Sequence, residues 1–170
     1  HAILHAYARN ISTLVKKNTL LEDVCASGEI SISPDTFSDY EGALERLFII
    51  QNISAWNPAI RSKTAIRSGT KRAFCDPSVA IALGLTPEAL SVQLKTFGFI
   101  FEQMCIRDLK AYTMGYNSQV SYYHDRYGLE ADIVLHLDDG RYALIECKLG
   151  SREIDEGAAH LLELQRLVRV

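Results

Sequence analysis

The 170-residue sequence has no apolar run that approaches the roughly 20 residues needed to cross a bilayer, and it does not open with a secretory signal. It also lacks a strong excess of charge, since the net charge is −3 and the pI is near 6.0. We therefore expect no membrane partner, and no surface that coats nucleic acid over its whole extent. What the chain does contain, 48% hydrophobic and 23% charged residues, is typical of a globular protein with a core.

The four cysteines show neither metal-type spacing nor redox pairing. Cys25, Cys75, Cys105 and Cys147 are scattered along the chain among apolar neighbours. Isolated cysteines of this kind behave as small core residues in a reducing compartment. The sequence therefore predicts a cytoplasmic protein with reduced cysteines.

The first half of the chain predicts a winged-helix-like domain. Helices are expected over residues 2–16, 19–27 and 34–46. Ser33 caps the third helix, with Pro34 at its first position. Extended segments follow at 47–56 and 72–75, and a short helix then runs to Leu83. Three helices followed by extended segments is the order of a winged helix-turn-helix, and we place the end of this domain at residue 85.

A basic segment lies between the two extended segments and reaches into the second. It contains Arg61, Lys63, Arg67, Lys71 and Arg72, with no acidic residue among them. A turn at its tip would make it a wing for phosphate contact. The third helix, however, carries acidic residues that would repel a duplex if they faced it. A solvated loop or a surface that docks another domain therefore stays open beside nucleic-acid contact.

The second half, residues 86–170, predicts the order α-β-β-β-α. A long apolar helix contains Glu102, whose carboxylate needs a partner or a raised pKa among so many apolar neighbours, and a salt bridge and a ligand role are both open for it. One strand is expected over residues 119–124, and two more form a hairpin around Asp138-Asp139-Gly140. Ser151 caps a final helix with a predicted buried stripe of Ile154, Ala158, Leu161, Leu162, Gln165 and Val168. The fold class is therefore α+β.

The turn of the hairpin predicts its register. A three-residue loop with Gly140 in the left-handed conformation, a type I turn closed by a bulge, pairs Leu137 with Arg141. One face of the hairpin is then wholly apolar: Ile133, Leu135 and Leu137 against Ala143, Ile145 and Cys147. The other face carries Glu130, Asp132, Val134 and His136 against Tyr142, Leu144, Glu146 and Lys148.

This register places Asp132 opposite Glu146 and Glu130 opposite Lys148. Like charges directly opposite in a sheet are destabilising, whereas a divalent cation between them would turn the repulsion into coordination. Lys148 would then meet an anionic substrate beside the metal. The alternatives are a solvated face with loosely spaced charges, a two-residue loop that separates the acids, or a buried salt-bridge network that fixes the hairpin.

Glu102 on a helix, Asp132 on the second strand and Glu146-Cys147-Lys148 on the third resemble the pattern of the PD-(D/E)-x-K nuclease superfamily. The resemblance implies a restriction-endonuclease-like domain around one or two Mg²⁺ ions, with Asp132, Glu146, the Cys147 carbonyl and Glu102 as ligands. It implies that the ion polarises the scissile phosphate and activates a water, while Lys148 orients that water or stabilises the developing charge. The residue before the aspartate is alanine instead of the superfamily's usual proline.

A second resemblance covers nearly the whole chain. Residues 43–62, 71–85, 97–109 and 122–158 are similar to a family of prokaryotic AAA-type ATPases. In that family a P-loop module is followed by a winged-helix-like segment and a nuclease-like C-terminal domain of unassigned function. This chain matches the part after the ATPase and has no G-x-x-x-x-G-K-[ST] sequence, so no ATP site is expected in it. The resemblance implies an ATPase module as a partner and DNA or RNA as substrate. A non-catalytic module that docks nucleic acid or protein is the alternative.

Overall fold

The computed structural model describes residues 1–26, 28, 30–57, 69–84 and 91–168, which form two compact units. Unit 1 comprises His1–Asn52 and Gly69–Gln103, and unit 2 comprises Ile53–Ser68 and Met104–Val170. The predicted α+β class is confirmed, since helices alternate with small sheets. The units are divided differently from the predicted domains, because the chain joins unit 2 after Asn52 and returns to unit 1 at Gly69. No helix in the described part of the chain is long and apolar enough to cross a membrane.

Unit 1 begins with three helices that share one core. They are α1 (Ala2–Arg9), α2 (Lys17–Cys25) and α3 (Pro34–Arg46). The predicted start of α3 is confirmed, because the N–H of Thr36 donates to the Ser33 hydroxyl oxygen at 3.1 Å and Pro34 is the first helical residue. One large aromatic or aliphatic side chain from each helix is fully buried in this core: Tyr7, Leu20 and Phe37.

Helix α1 is shorter than the helix predicted over residues 2–16. Ser12 has a left-handed backbone with φ 56°, which a continuing helix does not allow. Its N–H donates to the carbonyl of Arg72 at 2.8 Å, and the N–H of Arg72 donates to the carbonyl of Thr13 at 3.0 Å. Pairing with a distant segment therefore replaces local helical hydrogen bonds, which the apolar periodicity of the sequence could not reveal.

Two short strands and further helices follow in unit 1. Strand β1 (Ile50–Ile53) pairs with β2 (Lys71–Phe74) in a two-stranded sheet. Helix α4 (Ser78–Ala82) ends before Gly84, whose φ of +119° suits a residue without a Cβ. Both strands and α4 lie where the sequence predicts them. The long helix α5 (Leu94–Tyr112) begins in unit 1, and the division between the units falls after its residue Gln103.

A buried ion network joins four elements of unit 1 through Glu41 of α3. Its Oε1 accepts hydrogen bonds from the Tyr7 hydroxyl at 2.6 Å and from Nη1 of Arg72 at 2.9 Å, and its Oε2 lies 2.6 Å from Nζ of Lys17. Burial alone would raise the pKa of the Glu41 carboxyl. The hydrogen bonds from Lys17 and Tyr7 and the charge of Arg72 outweigh burial, so the pKa lies below its ordinary value. The network therefore holds α1, α2 and β2 to α3.

Unit 2 is built on a three-stranded antiparallel sheet in the spatial order β3-β4-β5. The strands are β3 (Ser118–His124), β4 (Glu130–Leu137) and β5 (Tyr142–Ile145). Helix α6 (Ser151–Leu167) follows, so the predicted order α-β-β-β-α is confirmed. Ile133 and Val134, neighbours on β4 that point to opposite faces, are both fully buried. Both faces of the sheet are therefore covered.

Helix α6 covers the sheet face on which the sequence places the charged residues. Its Leu164 packs in a buried cluster with Val134 of β4, and Tyr142 and Leu144 of β5 pack against that cluster. The predicted buried stripe of α6 is partly wrong, because Ile154 and Leu162 are more than half exposed. Leu161 and Val168 of the predicted stripe do turn towards the protein, whereas Gly157 and Leu164 are buried positions that the prediction omits.

Residues 54–56 extend the sheet of unit 2 beside β3. The N–H of Trp56 donates to the carbonyl of Tyr122 at 2.7 Å, and the N–H of Tyr122 donates to the carbonyl of Ser54 at 3.2 Å. The Trp56 indole packs against three rings of the sheet, those of Tyr123, His136 and Tyr142. The sequence assigns this segment to the N-terminal domain, whereas its hydrogen bonds and ring contacts belong to unit 2.

Replacing Glu41 with alanine should destabilise the protein by about 3–5 kcal/mol, because the guanidinium of Arg72 is left buried without its carboxylate. Chemical denaturation followed by circular dichroism measures this change in the free energy of unfolding. Asp39→Ala, at an exposed position of the same helix, is the matched control and should cost less than about 0.5 kcal/mol. Equal losses in the two variants would contradict the role of the network.

The stabilisation by Glu41 should also depend on pH. Because the folded-state pKa is lowered, this contribution is fully present above the ordinary pKa of a glutamate and is lost as the pH falls through the folded-state pKa. Denaturation curves recorded from neutral to acidic pH should therefore show the difference between wild type and Glu41→Gln shrinking on acidification. A difference that grows towards low pH would contradict this assignment.

Candidate active site

The register predicted for the hairpin of unit 2 is confirmed. Strands β4 and β5 pair Ile133 with Ile145 and continue in step to His136 with Tyr142. At the turn, the N–H of Leu137 donates to the carbonyl of Arg141 at 2.9 Å, and Gly140 has the expected left-handed φ of +88°. In the direction away from the turn, the next positions in this register are Asp132 and Glu146.

The ladder ends before it reaches the two acids, because an Asp132 side-chain oxygen takes the next hydrogen bond. The N–H of Cys147 donates to Oδ2 of Asp132 at 2.8 Å, and β5 ends at Ile145. A side-chain acceptor replaces a backbone carbonyl at this point. The regular backbone pairing of β4 and β5 therefore ends next to the carboxylates of Asp132 and Glu146.

Strand β4 has an irregularity at the same place. β3 and β4 pair Ser121 with Val134 and then Tyr123 with Ala131. Between these pairs β3 contributes one residue, Tyr122, whereas β4 contributes two, Asp132 and Ile133. This two-against-one count defines a β-bulge, a feature that re-aims side chains and is frequent next to active sites. The sequence carries no signal for the bulge, because alternation continues through it undisturbed.

Glu146 is a confined carboxylate of the hairpin, with only 6% of its side chain exposed. Its Oε1 accepts a hydrogen bond from Nζ of Lys148 at 2.6 Å. Within the described part of the chain, its buried Oε2 has no hydrogen-bond partner. Leaving a buried carboxylate oxygen unsatisfied is costly. Glu146 therefore has an unused acceptor for one more positively charged or hydrogen-bond-donating group.

Negative charge predominates around Glu146. Burial raises the pKa of its carboxyl, the hydrogen bond from Lys148 opposes that rise, and the charges of Asp132 and Glu130 add to it, so the net pKa lies above its ordinary value. Burial would lower the pKa of Lys148, but its bond to Glu146 and the three nearby carboxylates outweigh burial and raise it. Three acids thus share one lysine, an arrangement that attracts cations and protons.

Glu102, the fourth predicted ligand, lies in unit 1, whereas Asp132, Glu146 and Lys148 lie in unit 2. It is buried on α5 and its Oε1 accepts from Nζ of Lys71 of β2 at 2.6 Å. The partner that the sequence demanded for this carboxylate is therefore a lysine within its own unit. This ion pair accounts for the charge of Glu102 without a metal.

The basic residues predicted to contact nucleic acid fall into two groups. Arg61, Lys63 and Arg67 lie outside the described residues. Lys71 and Arg72 are buried in ion pairs with Glu102 and Glu41. Their charges already neutralise acids inside unit 1, so these two side chains serve the fold and offer little surface to a phosphate.

Among the described residues, no three His, Cys, Asp or Glu side chains are grouped in a way that could hold a metal ion. The set predicted for unit 2 consists of two carboxylates, from Asp132 and Glu146, and the main-chain carbonyl of Cys147. It contains fewer than three such side chains. In this conformation one carboxylate accepts from the Cys147 N–H and the other from Lys148.

Asp125, which the sequence did not single out, closes the turn between β3 and β4. Its Oδ1 accepts from the N–H groups of Tyr127 and Leu129 at 2.8 and 3.0 Å, and it is 2% exposed. Burial and the adjacent Asp125 charge raise the pKa of Tyr123 to about 12. The sequence signal for this role is an aspartate at the start of a turn, because its side chain can accept a hydrogen bond from the backbone N–H two residues later. Asp125 is therefore structural, and it fixes the entry into β4.

Comparison with known protein families divides the chain in two. A family described as a domain of unknown function (DUF8612) matches residues 1–89, and a second such domain (DUF4143) matches residues 97–169. The second domain is found at the C-termini of AAA-type ATPases, which confirms the resemblance to that part of such proteins. Curated proteins and solved structures gave no match. The candidate site of unit 2 lies wholly within the second matched region.

The like-charge repulsion between Asp132 and Glu146 can be measured directly. Asp132→Asn removes the charge but keeps a side-chain oxygen for the N–H of Cys147, so the pKa of the Glu146 carboxyl should fall. Carbon-detected NMR titration of the glutamate carboxyl groups follows this pKa. Asp155→Asn, at an exposed position of α6, is the control and should leave it unchanged. An unchanged or higher Glu146 pKa in Asp132→Asn would contradict the proximity of the two acids.

Proposed function

The chain belongs to the DUF8612 family, a family of unknown function, and we propose an activity for it from the chemistry of its second half. We propose that the chain forms the C-terminal part of an AAA-type ATPase. In this proposal, the charged end of the hairpin in unit 2 is a Mg²⁺-dependent nuclease-like site that hydrolyses phosphodiester bonds of DNA or RNA.

The observation that carries the proposal is the buried, unsatisfied Oε2 of Glu146 inside a cluster with more negative than positive charge. A hard divalent cation prefers carboxylate and carbonyl oxygens, so Glu146, Asp132 and the Cys147 carbonyl are suitable ligands. Bound there, Mg²⁺ would supply Lewis acidity towards a phosphate oxygen and a lower pKa for its water. Glu102 is left out of the ligand set, because Lys71 already neutralises it.

Lys148 is the residue of the site that we propose to contact the substrate. Its side chain is about one-third exposed, and its ammonium lies 2.6 Å from Oε1 of Glu146. The surrounding acids raise its pKa, so it carries a full positive charge at neutral pH. A fixed ammonium at this place would orient a water or stabilise the charge that develops on phosphate. Glu130, whose charge acts on both Lys148 and Glu146, would keep the ammonium in position.

The order of elements supports a finer assignment of the fold. Three helices followed by the paired strands β1 and β2 support a winged-helix-like arrangement for the first half. Helix α5, the three-stranded antiparallel sheet and α6 support a restriction-endonuclease-like arrangement for the second half. In that arrangement, we propose that the acids at the irregular end of the β4–β5 pair, Asp132 and Glu146, take part in catalysis.

Cleavage assays test the proposed activity. With Mn²⁺ or Mg²⁺, the wild-type chain should cleave single- or double-stranded DNA or RNA, and Glu146→Gln or Lys148→Met should lower the rate at least about 100-fold. Glu163→Gln changes an exposed glutamate of α6 and is the matched control, which should retain wild-type activity. Circular dichroism of each variant verifies that the fold is kept.

Cleavage that persists unchanged in both Glu146→Gln and Lys148→Met would overturn the assignment of the site. A wild-type chain that binds nucleic acid without cleaving it, and that shows no Mn²⁺ binding by calorimetry, would overturn catalysis and leave the docking function described next.

A non-catalytic module that docks nucleic acid or protein for the ATPase is the second candidate. It is favoured by the pairing of Lys148 with Glu146, which satisfies both groups in part without any ligand. Substituting Arg61, Lys63 and Arg67 together by alanine should then weaken binding of the chain to DNA. The slope of log K against log salt concentration, measured by fluorescence anisotropy, should fall by about 2–3. An unchanged slope would remove these residues from phosphate contact.

A further inference from the structure

Gly157 occupies a position where a glycine is locally unfavourable. It lies in the middle of α6, is buried, and has no left-handed backbone angle that would require the absence of a Cβ. Glycine is a poor helix former because its backbone loses the most conformational freedom on folding. Alanine, with the same backbone geometry, would make a more stable helix. The reason for a glycine at this position therefore lies in what its missing side chain would contact.

The space beside Gly157 is occupied by the two central residues of the candidate site. A Cβ at this position would stand 3.0 Å from Cγ of Glu146, 3.5 Å from Cε of Lys148 and 3.6 Å from Cβ of Glu146. The last two distances are ordinary van der Waals contacts, whereas 3.0 Å requires Glu146 to yield by a few tenths of an ångström. Glu146 is thus the group that limits the size of residue 157.

Glu146 has little freedom to yield. Its side chain is only 6% exposed, and its Oε1 accepts a hydrogen bond from Nζ of Lys148 at 2.6 Å that a movement of the side chain would disturb. A methyl group on residue 157 would press on the middle of this tethered side chain, and the displacement would pass to the carboxylate and the ammonium together. Buried, close-packed groups transmit such strain because they have no voids to relax into.

We propose that Gly157 is a positioning residue for the site: its missing side chain forms the slot in α6 that holds the Glu146 and Lys148 side chains together. At this position α6 contributes no charged group, and what it provides is the space that a side chain at residue 157 would otherwise fill. The inference rests on the proposed function only where it concerns metal binding, because the packing of Gly157 against Glu146 is a property of the folded chain alone.

A double-mutant cycle in thermal stability tests the slot without any assay of activity. In the Glu146→Ala background, which lacks Cγ, Gly157→Ala should raise Tm by about 2–4 °C, as expected from helix propensity in a chain of this size. In the wild-type background the same substitution should lower Tm, because the contact with Cγ outweighs that gain. The reversal of sign is the expected result.

Ala159→Gly, an exposed exchange two positions along α6, is the matched control and should lower Tm equally in both backgrounds. A rise in Tm on Gly157→Ala that is the same in both backgrounds would overturn the proposal. If Glu146→Ala does not fold, the Tm of Gly157→Ala in the wild-type background still tests the proposal. Helix propensity alone predicts a higher Tm than that of the wild type, whereas the close contact with Glu146 predicts a lower one.

Mn²⁺ binding by isothermal titration calorimetry adds a readout that a purely structural glycine would not change. Gly157→Ala should weaken Mn²⁺ binding about tenfold, whereas Ala159→Gly should leave it unchanged. Wild-type affinity in Gly157→Ala would overturn the positioning role. No Mn²⁺ binding by the wild-type chain would count against the proposed nuclease function, and the Tm cycle would then decide the role of Gly157 by itself.

Discussion

The left-handed turn at Gly140 is the constraint on which the candidate site depends. It fixes which residues of β4 and β5 face each other, and so it brings Asp132 and Glu146 to adjacent positions on one side of the sheet. Because side chains alternate along a strand, a shift of one residue would move Glu146 and Lys148 to the opposite face. The burial of Glu146, its bond to Lys148 and the fit of α6 over both follow from this one register.

Local chemistry explains the parts of the structure that the sequence predicts well. The Ser33 cap, the proline that follows it and the glycine at the hairpin turn each act within a few residues, and all three were predicted correctly. The end of α1 was not, because Ser12 and Thr13 pair with Arg72, which lies about 60 positions along the chain. Propensity and periodicity contain no term for such distant partners.

The sequence predicts the surroundings of the candidate site less completely than the hairpin itself, because these surroundings depend on residues that are distant in the sequence. Asp132, Glu146 and Lys148 follow from a register that the turn dictates. The bulge at Asp132 and the slot at Gly157 depend on how β3 and α6 pack, which no local pattern encodes. Glu102 shows the limit of sequence reasoning in another way. The sequence predicts that this carboxylate needs a partner, and it leaves a salt bridge and a metal ion open, whereas the lysine that pairs with it, Lys71, lies on a distant strand.

Buried charge is treated differently in the two units. Around Glu41 both carboxylate oxygens have partners, and Glu102 faces a lysine at 2.6 Å. Around Glu146 three acids share one ammonium and a carboxylate oxygen stays unsatisfied. Removing one partner from the fully paired groups would leave a buried charge uncompensated, whereas at Glu146 an unsatisfied oxygen and an excess of negative charge are already present in the folded chain.

The segment 54–56 has a consequence for where this protein can be divided. It covers part of the open edge of β3, and exposed strand edges are templates for association with other chains. A fragment that begins after residue 90 would carry every strand of the β3-β4-β5 sheet and the whole candidate site. It would nevertheless lose the Trp56 indole and the two backbone hydrogen bonds that Ser54 and Trp56 make with Tyr122. The boundary between the two matched families therefore cuts through a folded unit, so the second family's domain in this chain takes its edge protection from residues 54–56, which precede its matched region by about a quarter of the length of the sequence.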